Sequence, residues 1–366
     1  MRKSSDIQYC EKDSPNGDLP LFKKSHHQNS IVAVYTLYLA MFAASLLFQL
    51  SLEAQGKERS SPGVFQIDSI PLPDGLARAE NEFSGLQIHK RRLYLLAESR
   101  ILEKQEAAIY YAPVRDLQKV TKNSNSIPHF QTIKIYGLEV LQSHMPEYEG
   151  LEAFIIKGRK VYLTVETSAR SPWAYLIRGK MKKNVLVLDS VYKVVRKPHK
   201  SNGNSIHNAA FEAIILNRNK IFAFFEYNYF ENNFVYSIPV NFSKPIDSIP
   251  IAKLPFRVSD ITGKANNYTG INIFYNGSGP DTVYRVPVSD SAAYQLIFSN
   301  KFNNYTRLIR VKFLKSGFAW EPIFELPAYF RGYNWEGIAR WKKGYFLIND
   351  KYTPFRPYHS ILLYLY

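Results

Sequence analysis

One short pattern recurs along this chain, and it leaves few folds open. A small or acidic residue begins an apolar stretch, a basic turn follows, and a second apolar stretch ends on a carboxylate. The copies run from Ser84-Gly85-Leu86 to Glu98, from Glu149-Gly150-Leu151 to Glu166, from Glu212-Ala213-Ile214 to Glu226, and from Glu336-Gly337-Ile338 to Asp350. Opener and carboxylate stand fourteen positions apart in the first, third and fourth copies, and three more apart in the second. An aromatic residue precedes each carboxylate by four positions: Tyr94, Tyr162, Phe222 and Phe346. Self-similarity on this scale marks a repeat architecture.

From Val64 onward, short apolar runs alternate with turn signals, which predicts an all-β array with almost no helix. Unit one places strands near 84–89, 92–98, 107–114 and 130–137, unit two near 150–156, 160–166, 173–178 and 184–195, and unit three near 211–216, 220–227, 233–239 and 246–252. Unit four opens at Ser259-Asp260-Ile261-Thr262-Gly263 and resumes at 306–313 and 320–326. Unit five has only 335–341, 344–349 and 358–365 before the chain stops. Its missing strand is available from the other end. Ile67-Asp68-Ser69-Ile70-Pro71 repeats as Ile246-Asp247-Ser248-Ile249-Pro250, the outer strand of unit three. A ring whose first strand completes its last sheet covers edges that would otherwise invite aggregation. The expected fold is therefore a β-propeller of four-stranded blades, closed by an N-terminal strand. Five blades are counted, or six if residues 277–305 form another. A linear β-sandwich accounts neither for the matched spacing nor for the two copies of the five-residue segment.

Twenty-six tyrosines and 24 phenylalanines fit this strand-rich reading. The formal net charge is +16, which can draw in anionic partners. No basic helix, zinc-finger spacing or aromatic RNA-binding signature accompanies it, so nucleic acid is not the expected partner. Cys10 is the single cysteine, which excludes an intramolecular disulfide and thiolate metal sites. Residues 1–29 read as a polar, disordered tail. Residues 30–54 hold one hydrophobic helix around the run Ile31 to Leu50, long enough to span a bilayer. It is read either as a signal peptide cut after Ala54 or as an uncut membrane anchor. Residues 55–63 read as a linker and 64–366 as the propeller. The expected location is extracytoplasmic, periplasmic or at the cell surface.

In an antiparallel hairpin the first residue of one strand lies near the last of the next. If these hairpins are the innermost strands, Glu98, Glu149, Glu166, Glu212, Glu226, Asp260, Glu336 and Asp350 gather at one mouth of a central channel. In unit two, counting back fourteen from Glu166 reaches Glu152, so either Glu149 or Glu152 is the mouth residue. Clustered carboxylates need raised pKa values, basic neighbours or a bound cation. An oxygen-rich set of this kind suits Ca²⁺. Arg100, Arg170, Arg257 and Lys351 are candidates for holding a small anionic ligand.

Asn208-Ala209-Ala210-Phe211-Glu212-Ala213-Ile214, Asn334-Trp335-Glu336-Gly337-Ile338-Ala339 and Glu149-Gly150-Leu151 resemble the phytase-like, or "esterase-like activity of phytase", β-propeller proteins. So do the strand ends Ala97-Glu98-Ser99-Arg100 and Ile348-Asn349-Asp350-Lys351. The resemblance covers roughly residues 64–366. It implies an exported bacterial protein that binds calcium and hydrolyses phosphoric or carboxylic esters. Unit one departs from the pattern at Ser84, and unit four has Asp260 for glutamate and Phe274 where a carboxylate would follow.

No nucleophile elbow, H-E-x-x-H or phosphate-cradling glycine loop is present. The remaining candidates for catalysis are Glu212, Glu336 and His207. The sequence thus predicts a phytase-like propeller that binds a ligand or protein partner at an acidic mouth. A calcium-dependent ester hydrolase is the alternative, and the membrane is engaged through residues 31–50.

Overall fold

The computed structural model of the chain describes residues 65–99, 107–120, 126–199, 203, 206, 209–228, 232–243, 245–275, 304–351 and 358–366. The segment at 31–50, Arg100, His207 and residues 276–303 lie outside these. No helix among the described residues is long and apolar enough to cross a membrane. All described structure belongs to the unit Ser61–Tyr366.

The fold is an all-β, five-bladed β-propeller. The first strand, β1 (Ile67–Ile70), waits for the last blade. Blade 1 is β2 (Phe83–His89), β3 (Arg92–Ala97), β4 (Ala108–Pro113) and β5 (Gln131–Tyr136). Blade 2 is β6 (Tyr148–Lys157), β7 (Lys160–Thr167), β8 (Trp173–Lys182) and β9 (Val185–Arg196). Blade 3 is β10 (Phe211–Asn217), β11 (Lys220–Phe225), β13 (Phe234–Pro239) and β14 (Asp247–Pro250). A two-residue strand, β12 (Tyr227–Asn228), leaves β11 and pairs with blade 4. Blade 4 is β15 (Leu254–Lys264), β16 (Asn267–Tyr275), β17 (Asn304–Leu314) and β18 (Gly317–Glu325). Blade 5 is β19 (Trp335–Trp341), β20 (Gly344–Asn349) and β21 (Leu362–Leu365), with β1 as its outer strand.

That last pairing closes the ring. Ile67 faces Leu365 and Ile70 faces Leu362 in antiparallel register. The second copy of the segment, β14, is likewise the outer strand of its blade, paired to β13. Blades 1 and 2 are further joined where β5 pairs in parallel with β9, merging them into one eight-stranded sheet. The innermost strands touch in the order β2, β6, β10, β15, β19 and back to β2. Short helical segments occur at Asp74–Ala77, Val114–Val120, Leu138–Gln142 and Ala328–Arg331, all in connections.

The apolar core is distributed around the ring. Five buried clusters fill the gaps between neighbouring blades, one in each gap. The recurrent aromatics serve these gaps. Tyr94 stacks on Tyr111, Phe346 stacks on Tyr364, and Phe222 meets Phe313 and Phe318 edge-on. Tyr162 also donates through its hydroxyl to the carbonyl of Val240 in the next blade, 2.8 Å away. The faces that neighbouring blades turn toward one another are thereby buried.

Candidate functional site

Every inner hairpin carries a β-bulge at its start, and this local device builds the mouth. Register slips between Phe83 and Gly85, Tyr148 and Gly150, Phe211 and Ala213, Val258 and Asp260, and Trp335 and Gly337. A bulge leaves one residue out of the ladder and re-aims its side chain. The bulged residues are Ser84, Glu149, Glu212, Ser259 and Glu336. The blade 4 equivalent of the repeat opener is therefore Ser259 and not Asp260, a correction of one position.

A recurrent backbone bond identifies the position where each inner hairpin ends. Glu98 N donates to Glu82 O, Glu226 N to Ala210 O and Asp350 N to Asn334 O. In blade 2 the same bond comes from Ser168 to Glu147. Glu166 thus sits two residues short of the equivalent level. A second bulge in β6, between Leu151 and Phe154, brings Glu152 inward as well.

The expected eight-carboxylate set divides into parts. Glu98, Glu152 and Glu166 are buried, and each offers one oxygen within 4.8 Å of the others. The residue that joins Glu98 and Glu166 is Glu152, while Glu149 stays half-buried at its bulge. Gly150 makes room for this trio, because a Cβ there would meet Glu98 Cγ at 2.7 Å.

A second group surrounds Arg257. Its guanidinium pairs with Glu226 and lies 3.5 Å from Glu336 Oε1. Asn334 donates through Nδ2 to Glu336 Oε1 at 2.6 Å and to Asp350 Oδ2 at 2.8 Å. Arg257 was expected to grip an anionic ligand; the structure gives its charge to two buried glutamates instead.

Asp260 serves the scaffold. Its Oδ2 accepts from Ile338 N at 2.8 Å and from Leu86 N at 3.5 Å, and its Oδ1 from Ile261 N at 2.7 Å. It therefore ties blades 4, 5 and 1 together. Burial pushes its carboxyl group well up, while these three backbone donors pull the other way.

Glu212 stands apart. It is 5 % exposed, and among the described residues no donor holds its carboxyl group. Burial, reinforced by Glu226, Glu166 and Glu336, drives its pKa well above the usual range, against the opposing pull of Arg257. The folded state therefore keeps its proton at pH values where the unfolded chain has lost it, so stability falls as pH rises above the ordinary glutamate value. Glu212→Gln should melt near wild type at pH 4 and above it at pH 7. The gap should open progressively between those two pH values. Thermal melts across that pH range check it, and a constant gap would remove the assignment.

Of the other basic candidates, Arg170 is exposed and pairs with Glu147 at 2.8 Å, and Lys351 pairs with buried Glu82. Sequence reasoning missed Lys197. It is buried, and its ammonium donates to the carbonyls of Thr167 and Ser168. Burial lowers its pKa to about 8, although Glu166, Glu149 and Glu212 oppose the shift. It follows β9 and carries no motif that could have marked it. Lys197 also borders a 260 Å³ cavity lined by Phe225, Tyr227, Phe234 and Tyr236, with the amides of Asn228 and Asn233.

No protein-family profile matches the sequence, and no curated protein does. Among solved structures, CoXyl43, a GH43 β-xylosidase/α-arabinofuranosidase from a compost microbial metagenome, is similar at 9 % identity and TM-score 0.45, covering 82 % of this chain and 94 % of that one. The catalytic domain of a GH62 α-L-arabinofuranosidase from Coprinopsis cinerea is similar at 10 % identity and TM-score 0.46, covering 82 % and 97 %. A GH43_1 enzyme from Xanthomonas citri is similar at 8 % identity and TM-score 0.42, covering 81 % and 89 %.

The expected phytase-like membership is corrected by these findings, because the neighbours are glycoside hydrolases and no family profile supports the phytase-like group. The ligand-binding and calcium-dependent esterase readings that followed from it are withdrawn with it. The physical reason is plain. The quoted motifs record how a blade starts and ends, a requirement of the fold, and a fold hosts many chemistries.

Proposed function

We propose that the carboxylate-lined end of the channel hydrolyses glycosidic bonds. The observation that carries this reading is the contrast between two equivalent bulge residues, Glu212 in blade 3 and Glu336 in blade 5. Glu212 is buried without a described donor and is driven toward its neutral form. Glu336 receives Asn334 and faces Arg257, two donors that hold its negative charge. One protonated and one charged carboxyl group are what cleavage at an acetal carbon requires.

Glu212 then donates its proton to the departing glycosidic oxygen. Glu336 stabilises the developing positive charge on the sugar or activates the attacking water. The adjoining cavity offers aromatic faces for a sugar ring and amides for its hydroxyls. Glu98, Glu152 and Glu166 are the residues that would take a cation such as Ca²⁺, whose charge would offset the trio's own.

The test is a panel of aryl pentosides and hexosides with matched oligosaccharides. Glu212→Gln is expected to lower kcat/KM on oligosaccharides by about 10²–10⁴. Dinitrophenyl glycosides, whose leaving group needs no proton, should be spared. Glu336→Gln should impair both kinds of substrate. Absence of turnover on the whole panel, or equal loss on both leaving groups for Glu212→Gln, would falsify the reading.

A further inference from the structure

The face opposite the carboxylates is built as consistently as the mouth. All five inner hairpins run from the mouth and reverse at the far end, and each reversal carries exposed lysine or arginine: Arg91, Arg159, Arg218, Lys264 and Lys343 mark the five turns. The five turn segments, 87–92, 157–160, 217–220, 263–267 and 340–344, contain no aspartate or glutamate.

Contacts show that these turns form one continuous surface. Lys157 Nζ donates to Asn219 Oδ1 at 2.6 Å, linking blades 2 and 3. Asn217 Nδ2 reaches Asn266 Oδ1 at 3.4 Å, linking blades 3 and 4. Arg340 N donates to Thr262 Oγ1 at 3.1 Å, linking blades 5 and 4. Ile156 N donates to Gln87 Oε1 at 2.7 Å, linking blades 2 and 1. Among the described residues, the five turn cations named above are in no ion pair. Of the acids near this face, Asp189 is matched by Arg178 and Lys180, Asp247 by Lys220, and Glu321 by Arg310 and Lys312, while Asp68, the second residue of β1, accepts from the Tyr366 hydroxyl.

The chain also enters the propeller on this face. Ile67 and Tyr345 both pair with Leu365, so the first residue of β1 lies at the same end as the Lys342–Lys343 turn. The apolar run ending at Leu50 precedes Ile67 by only seventeen positions.

We propose that this basic face seats the propeller on an anionic phospholipid surface, with the carboxylate mouth turned away from the bilayer. An array of cations that make no ion pair among the described residues suits a charged membrane, where lysine or arginine gains from the surface potential within a Debye length. The proximity of a run long enough to cross a bilayer favours lipid over another polyanion. This placement does not depend on the glycosidase reading, because it concerns the opposite end of the channel.

The test uses the full chain with vesicles of phosphatidylcholine alone or with 30 % phosphatidylserine. Phosphatidylserine is expected to tighten binding at least tenfold at 50 mM salt, and 500 mM salt should abolish that gain. Arg159→Glu/Lys343→Glu should remove most of the gain. Lys193→Glu/Arg196→Glu, the same charge change on the mouth side beside Trp173, should alter it less than twofold. With brominated lipids, Trp341 in the basic turn should be quenched and Trp173 at the mouth should not. Equal effects of the two double variants, or tighter binding to nucleic acid than to phosphatidylserine vesicles, would overturn the proposal.

Discussion

Arg257→Met is expected to destabilise the propeller by about 3–5 kcal/mol, the range found when one partner of a buried ion pair is removed. Arg257 meets Glu226, whose side chain is 1 % exposed, and approaches Glu336. Without the guanidinium, both glutamates stay desolvated beside Glu212, which their charge already pushes toward neutrality. The melting temperature should fall by roughly 10 °C or more. Adding Glu226→Gln to the methionine variant should recover part of the loss, because an unpaired buried charge costs more than an absent pair. Urea unfolding of the two single variants and the double variant closes the cycle. A loss under about 1 kcal/mol for Arg257→Met would mean that the network is solvated and that the charge contrast at the mouth is not built by it.

The second large effect concerns the closing strand. Ile70 is 1 % exposed and packs among Leu72, Leu76 and Phe346 between blades 5 and 1. Ile249 holds the same place in the second copy of the segment, yet is only partly buried against the cluster between blades 3 and 4. Ile70→Asp removes a buried apolar side chain and introduces an unpaired charge, two costs that together reach about 4–5 kcal/mol or more. Ile249→Asp should cost about 1–2 kcal/mol. Hydrogen exchange adds a specific readout: protection at Leu362–Leu365 should collapse in Ile70→Asp before the rest of the molecule opens. Equal costs at the two sites would show that ring closure contributes nothing beyond an ordinary outer strand.

Ring closure was legible because the same five residues stand at 67–71 and 246–250, and only one copy had a blade to belong to. The five-blade count was legible from hairpins of matched length, since fourteen positions fit one turn and two short strands. The same counting failed in blade 2, where β6 holds a second bulge and β7 runs longer than β3, β11 and β20. It misjudged blade 4 because Ser259-Asp260 offers an acid one residue past the bulge. Spacing along a chain carries no record of a bulge, which changes register without changing composition. Lys197 and Glu82 were invisible for another reason: their partners come from distant strands or loops, and no local pattern announces them. The family resemblance misled because blade boundaries impose Glu-Gly-Ile-like openings whatever chemistry sits above them.

The repeated kink has a consequence for how such a molecule can diversify. At the five matching positions the backbone accepts serine in two blades and glutamate in three, with the surrounding strands unchanged. Exchanges there would redraw the carboxylate rim, and at Ser84 and Ser259 they would also remove hydroxyl bonds to Leu151 O and Trp335 O of the neighbouring blades. Installing a glutamate at 84 or 259, or a serine at 149, offers a direct way to ask which spokes the chemistry needs.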